Sequence, residues 1–225
     1  MEKLQVAIEH ARKRQDSLQP VDAVKPPPDQ DDNWLALDAF QPLTQTLRQN
    51  RIQAALPESP ARNAIDILRT RLLTQMRENG WKRVMITSPT PGCGKSTLTL
   101  NLAFALQRQS NLRVIAMDFD LRRAAMARML GMHPKADVNA LLSGTVAPRT
   151  QMQRIGKNLA ISANIEPVND LTELLKLPST QACLEALTQE YAPDVILFDV
   201  PPLFASDDAI AVARLVDCEV IVGAA

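Results

Sequence analysis

The sequence predicts an α/β fold, with a mostly parallel central sheet, helices on both faces and a helical or disordered N-terminal extension ahead of it. Three observations predict this. From about residue 61, short continuously apolar runs alternate with stretches of helical periodicity, the pattern of strands buried on both faces and joined by crossover helices. One such run, 84–87, leads into a glycine loop, Ser88-Pro89-Thr90-Pro91-Gly92-Cys93-Gly94-Lys95-Ser96-Thr97, and then into a helical run over 98–107. Two later runs, Val114-Ile115-Ala116-Met117-Asp118 and Val195-Ile196-Leu197-Phe198-Asp199, each close on a carboxylate.

In chain order, residues 1–18 read as a charged helix with a thin apolar stripe of Leu4, Ala7, Ile8 and Ala11. Residues 20–32, with Pro26-Pro27-Pro28 and Asp31-Asp32, read as an extended linker. Apolar residues return over 34–52, among them Trp34, Leu37, Phe40, Leu47 and Ile52, so this stretch is expected to fold onto something. Pro57 and Pro60 punctuate the chain again, which sets the expected division at 1–60 for the extension and 61–225 for the folded domain. Ala61, Ile65, Leu68, Leu72 and Met76 then recur at helical spacing, and Gly80 stops that helix. Further strands are expected at 113–117, 159–163, 194–198 and 219–222, with helices at 123–130, 171–190 and 207–215. The last strand ends so near Ala225 that the natural domain is expected to run on.

Composition narrows the function. Twenty-five basic residues balance twenty-five acidic ones, so no net charge steers the chain toward nucleic acid or anionic lipid. An aromatic content of 4% gives little stacking surface for single strands. Cys93, Cys183 and Cys218 are odd in number and lack metal-ligand spacing, which points to a reducing cytosol. The N-terminus has no signal-peptide core, and every apolar run is cut well short of a membrane span.

Strand, glycine loop and helix in that order form a phosphate site. Glycine lets backbone N–H groups approach an anion closely, and the helix adds its own unsatisfied N–H groups and the positive end of its dipole. In such a loop (Pro91 to Thr97) Lys95 reaches the β- and γ-phosphates and the Ser96 hydroxyl ligates Mg²⁺. The usual glycine or alanine six positions before the lysine is here Pro89. With a strand period of two, Asp118 and Asp120 project the same way, into the crevice at the carboxyl ends of the strands. Asp199 closes the other acidic strand and is the expected Walker B carboxylate, holding Mg²⁺ directly or through water. A helix N-cap is the bland alternative for Asp120 and Asp199. Cys93 is expected to be tolerated within a loop that binds through its backbone.

Pro91 to Thr97, then Asp118-Phe119-Asp120-Leu121-Arg122-Arg123, then Asp199-Val200-Pro201-Pro202 resemble the three Walker motifs of the bacterial tyrosine kinases of the CpsD/CapB group, a branch of the MinD/ParA-like P-loop proteins. The similarity runs over about 61–225 and extends to Leu141-Leu142-Ser143-Gly144, to Thr172-Glu173-Leu174-Leu175 and to Asp208-Ala209. It implies ATP and Mg²⁺, with Lys95, Asp118 and Asp120 as catalytic residues and Ser96, Asp118 and Asp199 at the metal. It implies capsule or exopolysaccharide synthesis beside a membrane polysaccharide co-polymerase whose cytoplasmic segment activates the kinase. The chain would then sit in the cytoplasm at the inner face of the plasma membrane. Arg122, Arg123 and Asp208 are candidates for phosphate or subunit contacts. The extra loop lysine of MinD/ParA-type partition ATPases is absent, which favours the kinase branch. Where the family carries Glu-x-x-Arg-x-x-Arg for ring assembly, this chain has Asn63, Asp66 and Arg69, and only the last agrees; a homo-oligomer stays open. The kinases also carry a tyrosine-rich tail, whereas Tyr191 is the single tyrosine here and its position suits packing. A MinD-like ATPase switch that gates a partner without phosphorylating protein is the alternative reading.

Overall fold

The structure is a computed structural model that describes residues 33–57, 59–167 and 171–223. The helix expected over 1–18 and the linker over 20–32 lie outside the described residues.

Among the described residues, seven strands form one sheet in the order β1-β4-β5-β3-β6-β2-β7. The strands are β1 (Asp38–Ala39), β2 (Arg83–Thr87), β3 (Val114–Asp118), β4 (Met152–Ile155), β5 (Leu159–Ser162), β6 (Val195–Asp199) and β7 (Cys218–Ile221). All neighbouring pairs are parallel except β4 with β5. The expected mostly parallel sheet is therefore present. Its central strands alternate between two cores, as a period of two requires. Val84, Ile86, Val114, Ala116, Val195 and Leu197 face one apolar cluster. Met85, Ile115, Met117, Ile196 and Phe198 face the other.

The first face is covered by α1 (Thr44–Gln49), α2 (Arg62–Asn79), α3 (Lys95–Gln107) and α4 (Ala125–Leu130). Helix α2 ends where Gly80 takes φ 70°, a left-handed cap that glycine adopts without a Cβ penalty. Helix α3 is buried nearly all round, so its sequence shows no polar stripe. On the other face lie α5 (Val138–Leu142), α7 (Leu171–Lys176), α8 (Pro178–Tyr191) and α9 (Asp208–Ala213), with the short α6 (Pro148–Gln151) leading into β4.

Three features depart from the sequence reading. The single helix expected over 171–190 is two, because Leu177 precedes Pro178 and takes extended backbone (ψ 143°), the conformation a following proline ring favours. Strand β4 was not expected: only its ends, Met152 and Ile155, are buried, so it shows no apolar run. Strand β1 is two exposed residues, too short for any pattern to register.

The stretch 34–56 crosses the edge of the sheet. Trp34 and Leu37 belong to one core, and Leu47, Ile52, Ala54 and Leu56 to the other, with β1 paired to β4 between them. The Trp34 indole meets the Tyr191 ring edge-on at 6.2 Å, and the Arg113 guanidinium lies 5.7 Å from its centroid.

Candidate functional site

Strand β2 delivers Thr87 and Ser88, both fully buried, to the start of the glycine loop. The Thr87 hydroxyl donates to the Pro201 carbonyl at 2.7 Å, and the Leu203 N–H to the Ser88 carbonyl at 2.8 Å, so the loop is fastened to the segment that follows β6. Gly92 and Gly94 sit at φ 85° and 89°, where a side chain is strained, and open space lies where their Cβ atoms would be. Helix α3 begins at Lys95 directly after Gly94, so its first N–H groups lack helical partners and face the concave side of the loop.

Asp118 and Asp199 are register partners across β3 and β6, so both carboxylates leave the sheet side by side toward α3. Lys95, Asp118, Asp120 and Asp199 are all buried. The Lys95 ammonium lies 2.5 Å from Asp120 Oδ2, 3.5 Å from Asp199 Oδ1 and 3.3 Å from the Ser96 hydroxyl. Burial alone would lower the Lys95 pKa, but Asp199 and Asp120 together outweigh it and hold the ammonium above its usual value. Burial first, and then the neighbouring Asp199 charge, push Asp118 well above the ordinary carboxylate range. Asp199 is also raised by burial, against the pull of Lys95. One oxygen on each strand-end acid, Asp118 Oδ1 and Asp199 Oδ2, is buried without a hydrogen-bond partner.

Three carboxylates around one ammonium leave negative charge that a dication would offset. An open glycine cradle, unsatisfied helix N–H groups and two orphaned carboxylate oxygens fit magnesium and a nucleotide phosphate chain. Among the described residues no three His, Cys, Asp or Glu side chains are grouped tightly enough to hold a metal by themselves.

The remaining expected residues divide. Asp208 is fully buried and receives the Arg122 Nε–H at 2.9 Å and the Ser206 hydroxyl at 2.7 Å, so Arg122 and Asp208 are brought together. They join the loop after β3 to the loop after β6. Arg123 is exposed beside them. Cys93 is half-buried, with its Sγ 3.2 Å from the Thr90 carbonyl. It is Asp118, not Asp120 or Asp199, that plays the capping part, accepting the Met126 N–H of α4 at 3.1 Å. At the positions of the family's ring motif, Asp66 is turned inward: it pairs with Arg69 at 3.2 Å and with Arg108. Asn164 was not expected at the site. Fully buried just past β5, it donates to the Asp118 carbonyl at 2.9 Å and accepts the Val138 N–H at 2.9 Å. A signal was available, for Asn164 directly follows the apolar run 159–163.

A glycine loop between a parallel strand and a buried helix, with acids closing the neighbouring pair β3 and β6, defines a P-loop nucleotide-binding protein. The chain belongs to the ParA family of P-loop NTPases: that family's model, described as NUBPL iron-transfer P-loop NTPase, matches residues 81–224. It is similar to the tyrosine-protein kinase Etk of Escherichia coli, 31% identical over 168 residues, which are 74% of this chain and 23% of Etk. The chain thus spans under a quarter of that relative's length. The solved kinase domain of E. coli Etk superposes with a TM-score of 0.64 at 28% identity, over 71% of this chain and 62% of that one. The BceF tyrosine kinase domain gives 0.66 at 27% identity, over 83% and 78%. The relatives named here are bacterial tyrosine kinases, as the motif resemblance implied. No helix of the described residues is long and apolar enough to cross a membrane.

Proposed function

We propose that the chain is an ATP-dependent, Mg²⁺-requiring protein-tyrosine kinase that regulates exopolysaccharide or capsule polymerisation and export. Its activator would be the cytoplasmic segment of a membrane polysaccharide co-polymerase, which would hold it at the inner face of the plasma membrane. One observation carries the reading: Lys95, Asp118, Asp120 and Asp199 converge beside an open glycine loop, with two buried carboxylate oxygens unpartnered.

Mg-ATP, when bound, would supply the phosphoryl group and a charge-neutralising cation. The chain's own part is positioning and charge. Backbone N–H groups of the loop and of the first turn of α3 hold the phosphates. Lys95 would reach the β- and γ-phosphates, with Asp199 beside it favouring its charged form. The Ser96 hydroxyl and Asp199, with Asp118, would hold the metal. Asp120, freed of Lys95, is the carboxylate placed to orient an acceptor hydroxyl and take its proton.

A second reading has an observation of its own. Tyr191, the single tyrosine, is 1% exposed, and burial raises its pKa further from ionisation. A phosphoacceptor would therefore be a tyrosine other than Tyr191, or the output would be ATP hydrolysis that gates a partner. Incubation with ATP labelled at the γ-phosphate, with and without the partner segment, separates the two. Label on tyrosine that disappears in Asp120→Asn supports the kinase; free phosphate alone supports the switch. Lys95→Ala is expected to lower either turnover at least about 100-fold, and undiminished turnover in that variant would remove both readings.

A further inference from the structure

Strand β5 is bracketed by two buried asparagines that do different work. Asn158 stands just before it and donates to the carbonyls of Gln107, Gln109 and Leu112 at 3.0, 2.9 and 2.7 Å, so it fastens the turn between α3 and β3. Asn164 stands just after it, fully buried, at the end of the sheet that carries the acids. There the β3–β5 ladder stops at Met117 and Ser162. Past that pair the β5 chain turns away: the Ala163 carbonyl accepts from Gln151 at 2.8 Å, and the Ile165 N–H donates to Asp137 at 2.7 Å. A buried carbonyl on β3 still needs a partner. The Asn164 side chain supplies it, donating its Nδ2–H to the Asp118 carbonyl at 2.9 Å while its Oδ1 accepts the Val138 N–H of α5 at 2.9 Å. An amide gives the donor and the acceptor at once, whereas a carboxylate would give acceptors only.

That bond falls on the peptide unit where β3 leaves the sheet. Its carbonyl belongs to Asp118 and is held by Asn164; its N–H belongs to Phe119 and donates to the Asp199 carbonyl at 2.8 Å. The strand end is thus gripped from both sides, through backbone on the β6 side and through one side-chain amide on the β5 side. Asp118 is also the residue whose Oδ1 is buried without a partner. We propose that Asn164 is a positioning residue for the metal side of the site: by holding the Asp118 carbonyl it fixes where the unpartnered Asp118 oxygen lies, and so fits the site to Mg²⁺. This rests on the Mg-nucleotide reading above and deepens it. Mg²⁺ demands near-ideal octahedral geometry, whereas Ca²⁺ accepts larger and less regular oxygen shells. A loosened Asp118 therefore costs Mg²⁺ more than Ca²⁺.

The test is binding, so it does not depend on turnover. A fluorescent non-hydrolysable ATP analogue is titrated with the full chain in Mg²⁺, in Ca²⁺ and in chelator, and anisotropy is read. Asn164→Ala is expected to weaken binding in Mg²⁺ on the order of 10-fold, the size of lost outer-shell support at a metal site. The same variant should lose less in Ca²⁺ and nothing in chelator. Asn164→Ser keeps a short hydroxyl donor and serves if the alanine variant does not fold; it should shift the same way by a smaller factor. Asn158→Ala removes three hydrogen bonds at the far end of the same strand, and should lower the melting temperature without changing the ratio of Mg²⁺ to Ca²⁺ affinities. Folded Asn164 variants with wild-type affinity in Mg²⁺ overturn the proposal. So do equal losses in Mg²⁺, Ca²⁺ and chelator, or the same selective loss in Asn158→Ala, since each makes Asn164 an ordinary structural residue. A wild-type chain whose affinity ignores Mg²⁺ removes the site reading and this proposal with it, whereas Mg²⁺-dependent wild-type binding with unaffected Asn164 variants removes this proposal alone.

Discussion

Asp118 is held in two incompatible ways. Its backbone carbonyl and one carboxylate oxygen are fastened by Asn164 and Met126, yet its other oxygen is buried without a partner. Proteins keep such groups where a ligand later completes them. With Mg²⁺ and nucleotide removed by chelation, Asp118→Asn should therefore stabilise the protein at pH 7 by about 0.5–2 kcal/mol while abolishing metal-dependent turnover. The pH dependence has a definite sign. A carboxyl whose pKa is raised in the fold binds its proton there more tightly than in the unfolded chain, so the wild type loses stability as pH rises through that window. The advantage of Asp118→Asn should shrink as pH falls toward the ordinary carboxylate range, which thermal melts at stepped pH would read. An advantage independent of pH would mean that the charge of Asp118 is already compensated.

Helix α3 carries its function on one end and its fastening one turn further on. Asn101, 4% exposed, accepts the Ala54 N–H at 2.8 Å and donates to the carbonyls of Arg51 at 2.9 Å and Thr97 at 2.8 Å. One side chain thus ties the phosphate-loop end of α3 to the stretch after α1, where Arg51 takes an unfavourable φ of 56°. Asn101→Ala leaves these groups unsatisfied and should cost about 1–3 kcal/mol. Hydrogen exchange should show the loss first in the amides of 50–56, because their anchors are few. Exchange that rises equally throughout α3 and β3 instead would show Asn101 to be an ordinary core residue.

Across the whole molecule, the stretch 34–56 is part of both cores rather than a tether ahead of them. Trp34, Leu37, Leu47, Ile52, Ala54 and Leu56 are each at most 6% exposed. We expect a fragment of residues 61–225 to melt at least about 10 °C below the full chain, or to aggregate, since several buried side chains lose their cover. Calorimetry on the two chains tests this, and a fragment as stable as the full chain would place the domain boundary at 61. Pairing of Asp66 with Arg69 and Arg108 belongs to the same scale, for it ties α2 to the end of α3.

The α/β architecture, the glycine loop and the acids at 118, 120 and 199 were legible because each is written in consecutive residues. Buried parallel strands must be continuously apolar, and a phosphate loop must place its glycines, lysine and hydroxyl at fixed spacing. Strand β4 with its antiparallel sense, and where the strap 34–56 and Asn164 make their contacts, were not legible. Their partners lie far along the chain: β1 meets β4 more than a hundred residues on, and Asn164 meets Asp118 across 46. Even for the acids, sequence placed three carboxylates near one site but not their division of labour. That Lys95 sits on Asp120, that Asp118 caps α4, and that an oxygen each of Asp118 and Asp199 stays unpartnered depend on the β3–β6 register. A register is a relation between strands, and only the folded sheet decides it.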